Sequence, residues 1–253
     1  MEDLGTNESL DRLVGDWKIL QLRDGHRFST DDLLTAYTAL QLAPRALRLL
    51  DLGAGIGSVG LMTLHGLPPD ATLTMVEAQP ISHALARRTV ALNGLTSRVT
   101  ARLGDLRDPA SVPELGAFDL VTGSPPYIPL GRGVVSPHPQ RAGARMELRG
   151  DVFDYCRAAA RAMTDDGGFA FCHAGGDPRP EQAIVLAGLV CLWRQDVIFR
   201  HGQAPTIALY ACARAGERAD RPPLQIRDAQ GQLTEAYQAI RAGLGAIAQP
   251  FRR

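Results

Sequence analysis

Ser124, Pro125, Pro126 and Tyr127 follow directly on an apolar run, Phe118-Asp119-Leu120-Val121-Thr122-Gly123. Two successive prolines fix the backbone and remove two N–H donors, which leaves nearby carbonyls free to face a ligand instead of a neighbouring strand. An acceptor-rich pocket is the expected result. Such a pocket suits an amino group attached to an aromatic ring, whose lone pair is delocalised until acceptors engage both N–H groups and turn the nitrogen towards a nucleophilic geometry. Ser124 Oγ and the Pro125 carbonyl are the candidate acceptors, and Tyr127 is the candidate platform on which a planar target stacks. The gain would come from proximity and orientation, with no general base required.

A second constellation lies upstream, where Leu49-Leu50-Asp51-Leu52 runs into Gly53-Ala54-Gly55-Ile56-Gly57-Ser58-Val59-Gly60. A glycine-rich turn between a strand and a helix lets the backbone turn tightly and approach a ligand closely. Gly55-x-Gly57-x-x-Gly60 also satisfies the dinucleotide pattern, with Glu77 at the distance where a ribose ligand is expected. Asp51 separates the alternatives, because a carboxylate there suits a cofactor's ammonium group and would repel a pyrophosphate. S-adenosylmethionine is therefore favoured over NAD. Glu77 ends the next strand and is placed to accept both ribose hydroxyls. Asp105 follows the third strand, where it would accept from an adenine amino group while Leu106 covers the ring.

These residues need a sheet to position them, and the chain supplies one. Runs rich in Val, Ile, Leu and Phe at 46–52, 72–77, 99–103, 118–122, 168–173, 196–201 and 206–211 alternate with helical patterns such as 80–93 and 150–163. Asp165-Asp166-Gly167-Gly168 reads as the turn closing the second of these helices. That alternation predicts a doubly wound α/β fold with a mainly parallel, seven-stranded sheet of Rossmann type. One domain is expected over residues 1–253: an N-terminal segment 1–45, a cofactor-binding and catalytic core 46–215, and a C-terminal strand and helix 222–253.

Composition sets the outer limits. The 253 residues include 45% hydrophobic side chains, enough for a large core. Lys and Arg (27) balance Asp and Glu (27), so nucleic-acid binding would need a local patch. The four cysteines, Cys156, Cys172, Cys191 and Cys212, are widely spaced and read as buried thiols. The N-terminal sequence lacks the basic-then-apolar order of a secretory signal, and no apolar stretch approaches about 18 residues. A cytoplasmic protein without a membrane segment or metal site is expected.

With these motifs in place, the chain resembles the amino-methylating methyltransferases of class I, whose corresponding motif reads Asn-Pro-Pro-Tyr. Among them it most resembles the tRNA adenine-N6 methyltransferases that act on valine tRNA. Phe28-Ser29-Thr30-Asp31-Asp32-Leu33-Leu34 is similar to that family's Thr-Asp-x-x-Leu-Leu segment, Ala144-Arg145-Met146-Glu147 to its Ala-Arg-x-Glu, and Thr234-Glu235-Ala236-Tyr237 to a C-terminal Ser/Thr-Glu-Ala-Tyr. The resemblance implies that Asp51, Gly53, Gly55, Gly57, Glu77, Asp105 and Leu106 bind S-adenosylmethionine, with Thr30 and Asp31 nearby, and that Ser124, Pro125, Pro126 and Tyr127 line the target site. It implies tRNA as the partner and N6 of an adenine as the acceptor.

Ser124 departs from the family's Asn, offering one hydroxyl where an amide carbonyl is usual. Three readings stay open at this level. One is tRNA adenine methylation; another is methylation of a small molecule or a protein glutamine amide, which the balanced charge suits; the last is a cofactor-binding protein without catalysis. Residues 128–150 carry Arg132, His138, Arg141, Arg145 and Arg149 among Gly and Pro and read as a mobile loop, either a phosphate-contacting cover or a solvated basic loop. His26, His138 and His173 have no partner spacing that marks a base or a metal ligand.

Overall fold

Leu49 and Leu50 show the plan of the molecule, because neighbours on a strand face opposite sides of its sheet. The computed structural model describes residues 4–129, 131 and 136–245. In it Leu49 packs with Leu34, Leu61 and Leu73 on one face, while Leu50 and Leu52 pack with Val121, Phe169 and Tyr155 on the other. Both leucines are fully buried, so the strand they share is central.

In chain order the elements are β1 (Glu8–Val14), β2 (Trp17–Leu22), α1 (Thr30–Leu42), β3 (Arg48–Leu52), α2 (Ser58–Gly66), β4 (Thr72–Glu77), α3 (Pro80–Leu92) and β5 (Val99–Leu103). There follow β6 (Phe118–Gly123), α4 (Pro139–Arg145), α5 (Val152–Ala162), β7 (Met163–Ala174), α6 (Arg179–Leu186), β8 (Val190–Ile198), β9 (Ile207–Ala213), β10 (Leu224–Gln225) and α7 (Glu235–Gly243). The main sheet has the order β10-β8-β9-β7-β6-β3-β4-β5, and within it only β9 runs antiparallel to its neighbours. The doubly wound α/β fold is as expected. The sheet has eight strands against the seven expected for it; the eighth, β10, is a two-residue edge piece within 222–253, where the sequence reading placed a C-terminal strand.

Several details differ from the sequence reading. The strand predicted at 196–201 is β8, which starts at Val190; its residues are mostly half-buried, and Arg221 covers the Trp193 ring at 4.1 Å, so no clean alternation marks it. Asp165-Asp166-Gly167-Gly168 does not close a helix but lies inside β7, where Gly167 passes within 2.9 Å of the Phe118 carbonyl, measured from where a Cβ would stand. The segment 128–150 is not loop throughout. Pro139 opens α4, a position where its missing N–H costs nothing. Arg132 lies outside the described residues.

The N-terminal segment, left without elements by the sequence reading, forms the β1–β2 hairpin and α1. The hairpin is held to α3 by Leu20 N donating to Thr89 Oγ1 (3.1 Å) and by the Arg88–Glu8 ion pair (2.6 Å). Ser29 and Asp32 cap α1 reciprocally. From the far end of the chain, the fully buried Tyr237 of α7 donates its hydroxyl to Thr30 Oγ1 at 3.3 Å, pinning the start of α1. Denaturant unfolding should show Tyr237→Phe losing about 1 kcal/mol, the worth of one neutral hydrogen bond. Tyr237→Ala should lose about 3–5 kcal/mol, because it also leaves a cavity.

Candidate active site

The order of strands decides where a site can form. Chain direction across the sheet reverses between β3 and β6, so the loops leaving their carboxyl ends part to opposite sides and open a crevice. Leu52 pairs with Gly123, which puts the glycine loop beside the Ser124-Pro125-Pro126-Tyr127 motif; Gly123 pairs in turn with Phe171, which brings Cys172 next to Ser124. A cleft follows from this register, lined by both loops, by the ends of β4, β5 and β7, and by α1 and α4.

Gly53 and Gly55 adopt left-handed backbone (φ 59° and 56°), which side-chain-bearing residues disfavour. A Cβ on Gly53 would collide with the Tyr155 hydroxyl of α5, whereas one on Gly55 would meet nothing within 4 Å and would project into open space. The first glycine is required by packing and the second leaves room for a ligand. Gly57 caps α2 and turns the chain against Met75, outside the cleft lining.

Five carboxylates surround the cleft, and their partners differ. Asp51 is buried; its oxygens accept from Thr122 Oγ1 (2.8 Å) and from the Gly60 amide (3.0 Å), an approach that a Cβ on residue 60 would block. Burial raises its carboxyl to about 7, against the pull of those two hydrogen bonds. Glu77 is also raised by burial, although the Gln79 and Gly55 amides donate to it at 2.7 Å each. Asp32 accepts from Ser29 N (2.8 Å) and Ser58 Oγ (2.6 Å), tying α1 to α2. Asp105 pairs with Arg107 at 2.6 Å, which lowers its carboxyl. Asp31 is raised to about 6, by burial first and then by Asp32.

The other end of the cleft is the motif itself. Pro125 and Pro126 are buried, and among the described residues nothing donates to the carbonyls of Ser124, Pro125 or Pro126. Ser124 Oγ lies 3.4 Å from Cys172 Sγ, so its hydroxyl already has a neighbour. Tyr127 is 37% exposed, with its ring edge-on to His173 at 6.0 Å. Burial and then Asp31 push its hydroxyl to about 12, and the same two causes push the Cys172 thiol to about 12. The exposed Arg145 and Arg149 also line the cleft, and neither forms an ion pair among the described residues.

The structure thus brings together Asp31, Asp51, Gly53, Gly55, Glu77, Asp105, Leu106 and Ser124 to Tyr127. Thr30 and Gly57 are the exceptions: the Thr30 hydroxyl faces Tyr237, Gly57 turns the chain into α2 against Met75, and neither lines the cleft. Two expected contacts need adjustment. Glu77 would meet ribose hydroxyls with both oxygens already holding a backbone amide, and Asp105 would meet an adenine amino group while paired to Arg107. Asp32, Tyr155, Cys172 and Gln79 join the lining without having been marked as site residues, and so do Arg145 and Arg149, which the sequence reading gave only as part of a phosphate-contacting or solvated basic loop. Of these, Asp32 was readable as the third residue after the helix cap Ser29. Cys172 was readable only from the sheet order. Of the loop residues, His138 sits 3.4 Å from Asp24, Gln140 joins the His26 amide (3.0 Å) to Ser82 Oγ (3.1 Å), and Arg141 donates to the Gly25 carbonyl (3.2 Å), so α4 holds the cleft's rim to the N-terminal segment.

S-adenosylmethionine fits this cleft. Asp51 and Glu77 are buried acids with no basic side chain bonded to them, a set that attracts a sulfonium, an ammonium group and ribose hydroxyls and repels a pyrophosphate. The open space at Gly55 gives such a ligand room. The dinucleotide alternative fails on the same charges. Among the described residues no group of His, Cys, Asp and Glu is placed to hold a metal ion, and no helix is long and apolar enough to cross a membrane.

Comparison with known proteins agrees. Residues 28–132 match the methyltransferase small domain model. A tRNA1(Val) (adenine(37)-N6)-methyltransferase of Citrobacter koseri is 30% identical over 198 residues, covering 76% of this chain and 78% of the relative. One from Haemophilus influenzae is 26% identical over 192 residues, covering 75% and 79%. A structure from Agrobacterium tumefaciens, described as a predicted O-methyltransferase, superposes with a TM-score of 0.65 at 21% identity over 87% of this chain and 99% of that one, a likeness of fold. The chain therefore belongs to the family of the tRNA1(Val) (adenine(37)-N6)-methyltransferases and is a methyltransferase dependent on S-adenosylmethionine.

Proposed function

We propose that the protein methylates the exocyclic N6 amino group of an adenine in tRNA, acting in the cytoplasm. The observation that carries this reading is the pair of half-sites in one cleft: buried acids beside a glycine loop at the end of β3, and undonated carbonyls of a Pro-Pro motif at the end of β6. The relatives' named activity on adenine N6 in tRNA1(Val) supports the choice of acceptor.

When bound, S-adenosylmethionine supplies an electrophilic methyl group. Asp51 would neutralise its positive charge, Glu77 would take the ribose hydroxyls, and Leu106 would cover the adenine. On the target side, the Pro125 carbonyl would accept one N–H group of the substrate beside Ser124, whose Oγ already neighbours Cys172 Sγ, and Tyr127 would stack on the base. Binding both reactants in one cleft converts a bimolecular encounter into an oriented one, the source of most of the rate gain. Arg145 and Arg149 provide local positive charge for the flanking phosphates, a patch that the balanced total charge conceals.

Incubating the protein with methyl-labelled S-adenosylmethionine and unmodified total tRNA should place label as N6-methyladenosine in one tRNA species. Ser124→Asn, which returns the family's amide, should transfer at least as fast as the native serine enzyme. Cofactor binding without transfer by either protein would defeat the reading. The charge argument has its own check by calorimetry. Because Asp51 sits near 7 and a cationic ligand favours its carboxylate, binding should release protons and tighten as pH rises from 6 to 8. Asp51→Asn should bind weakly with a flat pH dependence, and a flat profile for the native protein would contradict the assignment.

A further inference from the structure

The charged groups of the cleft fall into two sets that share Asp32. Asp32 and Glu77 act on Asp51 at the glycine-loop end, whereas the groups acting on the Tyr127 hydroxyl and the Cys172 thiol include Asp31, Asp32 and, for Tyr127, Arg145; Asp31 is among those at the second end and not at the first. Asp31 therefore belongs with the target motif and not with the cofactor loop. It also differs from its neighbours in pairing. Asp32, Asp51, Glu77 and Asp105 each accept hydrogen bonds from named donors of other residues, but no other residue donates to the Asp31 carboxylate among those described. Its amide is held by Ser29 Oγ (3.3 Å) and its carbonyl by Thr35 Oγ1 (2.8 Å), so the backbone is fixed and the side chain is left over. A partly buried carboxylate served only by its own backbone amide is costly unless a ligand supplies a further donor.

We infer that Asp31 is a catalytic residue of the target half, its carboxylate accepting a hydrogen bond from the substrate's amino group and then taking the proton that the nitrogen sheds. This rests on the amino-target reading above. In the step, the nitrogen lone pair forms the new N–C bond as the methyl's S–C bond breaks and leaves its electrons on sulfur, which becomes a neutral thioether. The nitrogen, briefly cationic, gives one proton to Asp31 and ends as a secondary amine. Serine at position 124 makes the role intelligible: Ser124 Oγ is engaged with Cys172, and Asp31 supplies the acceptor that the family's Asn side chain would offer. The titratable or charged groups facing Asp31 are Asp32 on its own helix, Tyr127 after β6, Cys172 on β7 and Arg145 on α4, with His26 beyond them against Asp32 and Arg145. Burial outweighs the one cation here, so Asp31 takes up a proton more readily than an ordinary aspartate.

The test uses the whole protein, S-adenosylmethionine and unmodified tRNA in single turnovers at saturation from pH 5 to 9, with cofactor affinity measured by calorimetry. The native rate should rise with pH and level off once Asp31 is ionised. Asp31→Asn keeps the shape but cannot take a proton; its rate should fall by about 100-fold and lose the acid limb, while cofactor affinity moves by less than about threefold. Asp31→Glu, which can take the proton, should recover part of the rate. The thermal midpoint of Asp31→Asn at pH 8 should be no lower than the native one, since an unpaired buried charge has been removed, and this separates a catalytic loss from unfolding. Weaker cofactor binding with an unchanged saturating rate and pH profile would overturn the inference and make Asp31 a cofactor ligand. Absence of any transfer by the native protein would overturn the amino-target reading and this inference together.

Discussion

Negative charge buried at the carboxyl edge of the sheet is the constraint on which the site depends. Asp51 is 1% exposed, and its two oxygens meet a hydroxyl and an amide but no cation. A charge so deeply buried is poorly solvated, so the carboxyl keeps its proton to higher pH than an ordinary aspartate and a positive ligand favours its release. The surrounding structure follows from keeping that arrangement intact. Register between β3 and β6 sets Thr122 opposite Asp51, Gly60 clears the path of its own amide, and Ser58 is held by Asp32 so that α2 starts where it must.

The N-terminal segment is part of the same device. The segment after its hairpin, with His26, Arg27 and Ser29, and the start of α1 close one side of the cleft, and α7, separated from α1 by most of the chain, fixes α1 through Tyr237 and Thr30. Thr30 thus resembles a ligand residue in sequence but acts through the backbone it anchors. Asp31, one position on, is the side chain that the anchoring leaves facing the target motif. Ser124 completes the contrast, because its hydroxyl is shared with Cys172 and the acceptor balance of the pocket shifts towards the opposite wall.

Much of this was legible in the sequence because each cofactor-side acid lies at or within two residues of a strand's carboxyl end, where alternation and turn chemistry are strong local signals. Asp51, Glu77, Asp105 and the Pro-Pro motif were all found that way, and all line the cleft. What escaped depends on partners distant in the chain. Helix α1 is buried on most sides, including Thr35 and Thr38, so no apolar stripe announces it; its readable mark is the Ser29–Asp32 cap. Helix α4 hides among Gly and Pro, and its stability comes from Gln140 and Arg141 bonding to the N-terminal segment. The pairing of Asp105 with Arg107 and the seating of Cys172 beside Ser124 are settled by side-chain geometry and sheet order, which spacing alone does not encode.

The most direct measurement of the central claim is a crystal structure with S-adenosylhomocysteine and an adenine-bearing stem-loop bound together. The account predicts the cofactor product lying along the ends of β3, β4 and β5 with its ribose at Glu77, and a flipped adenine between Tyr127 and the Pro125 carbonyl with its amino group within hydrogen-bonding distance of Asp31. A cofactor product seated with Asp31 on its ammonium group, or an adenine whose amino group points away from the Ser124–Tyr127 motif, would contradict it.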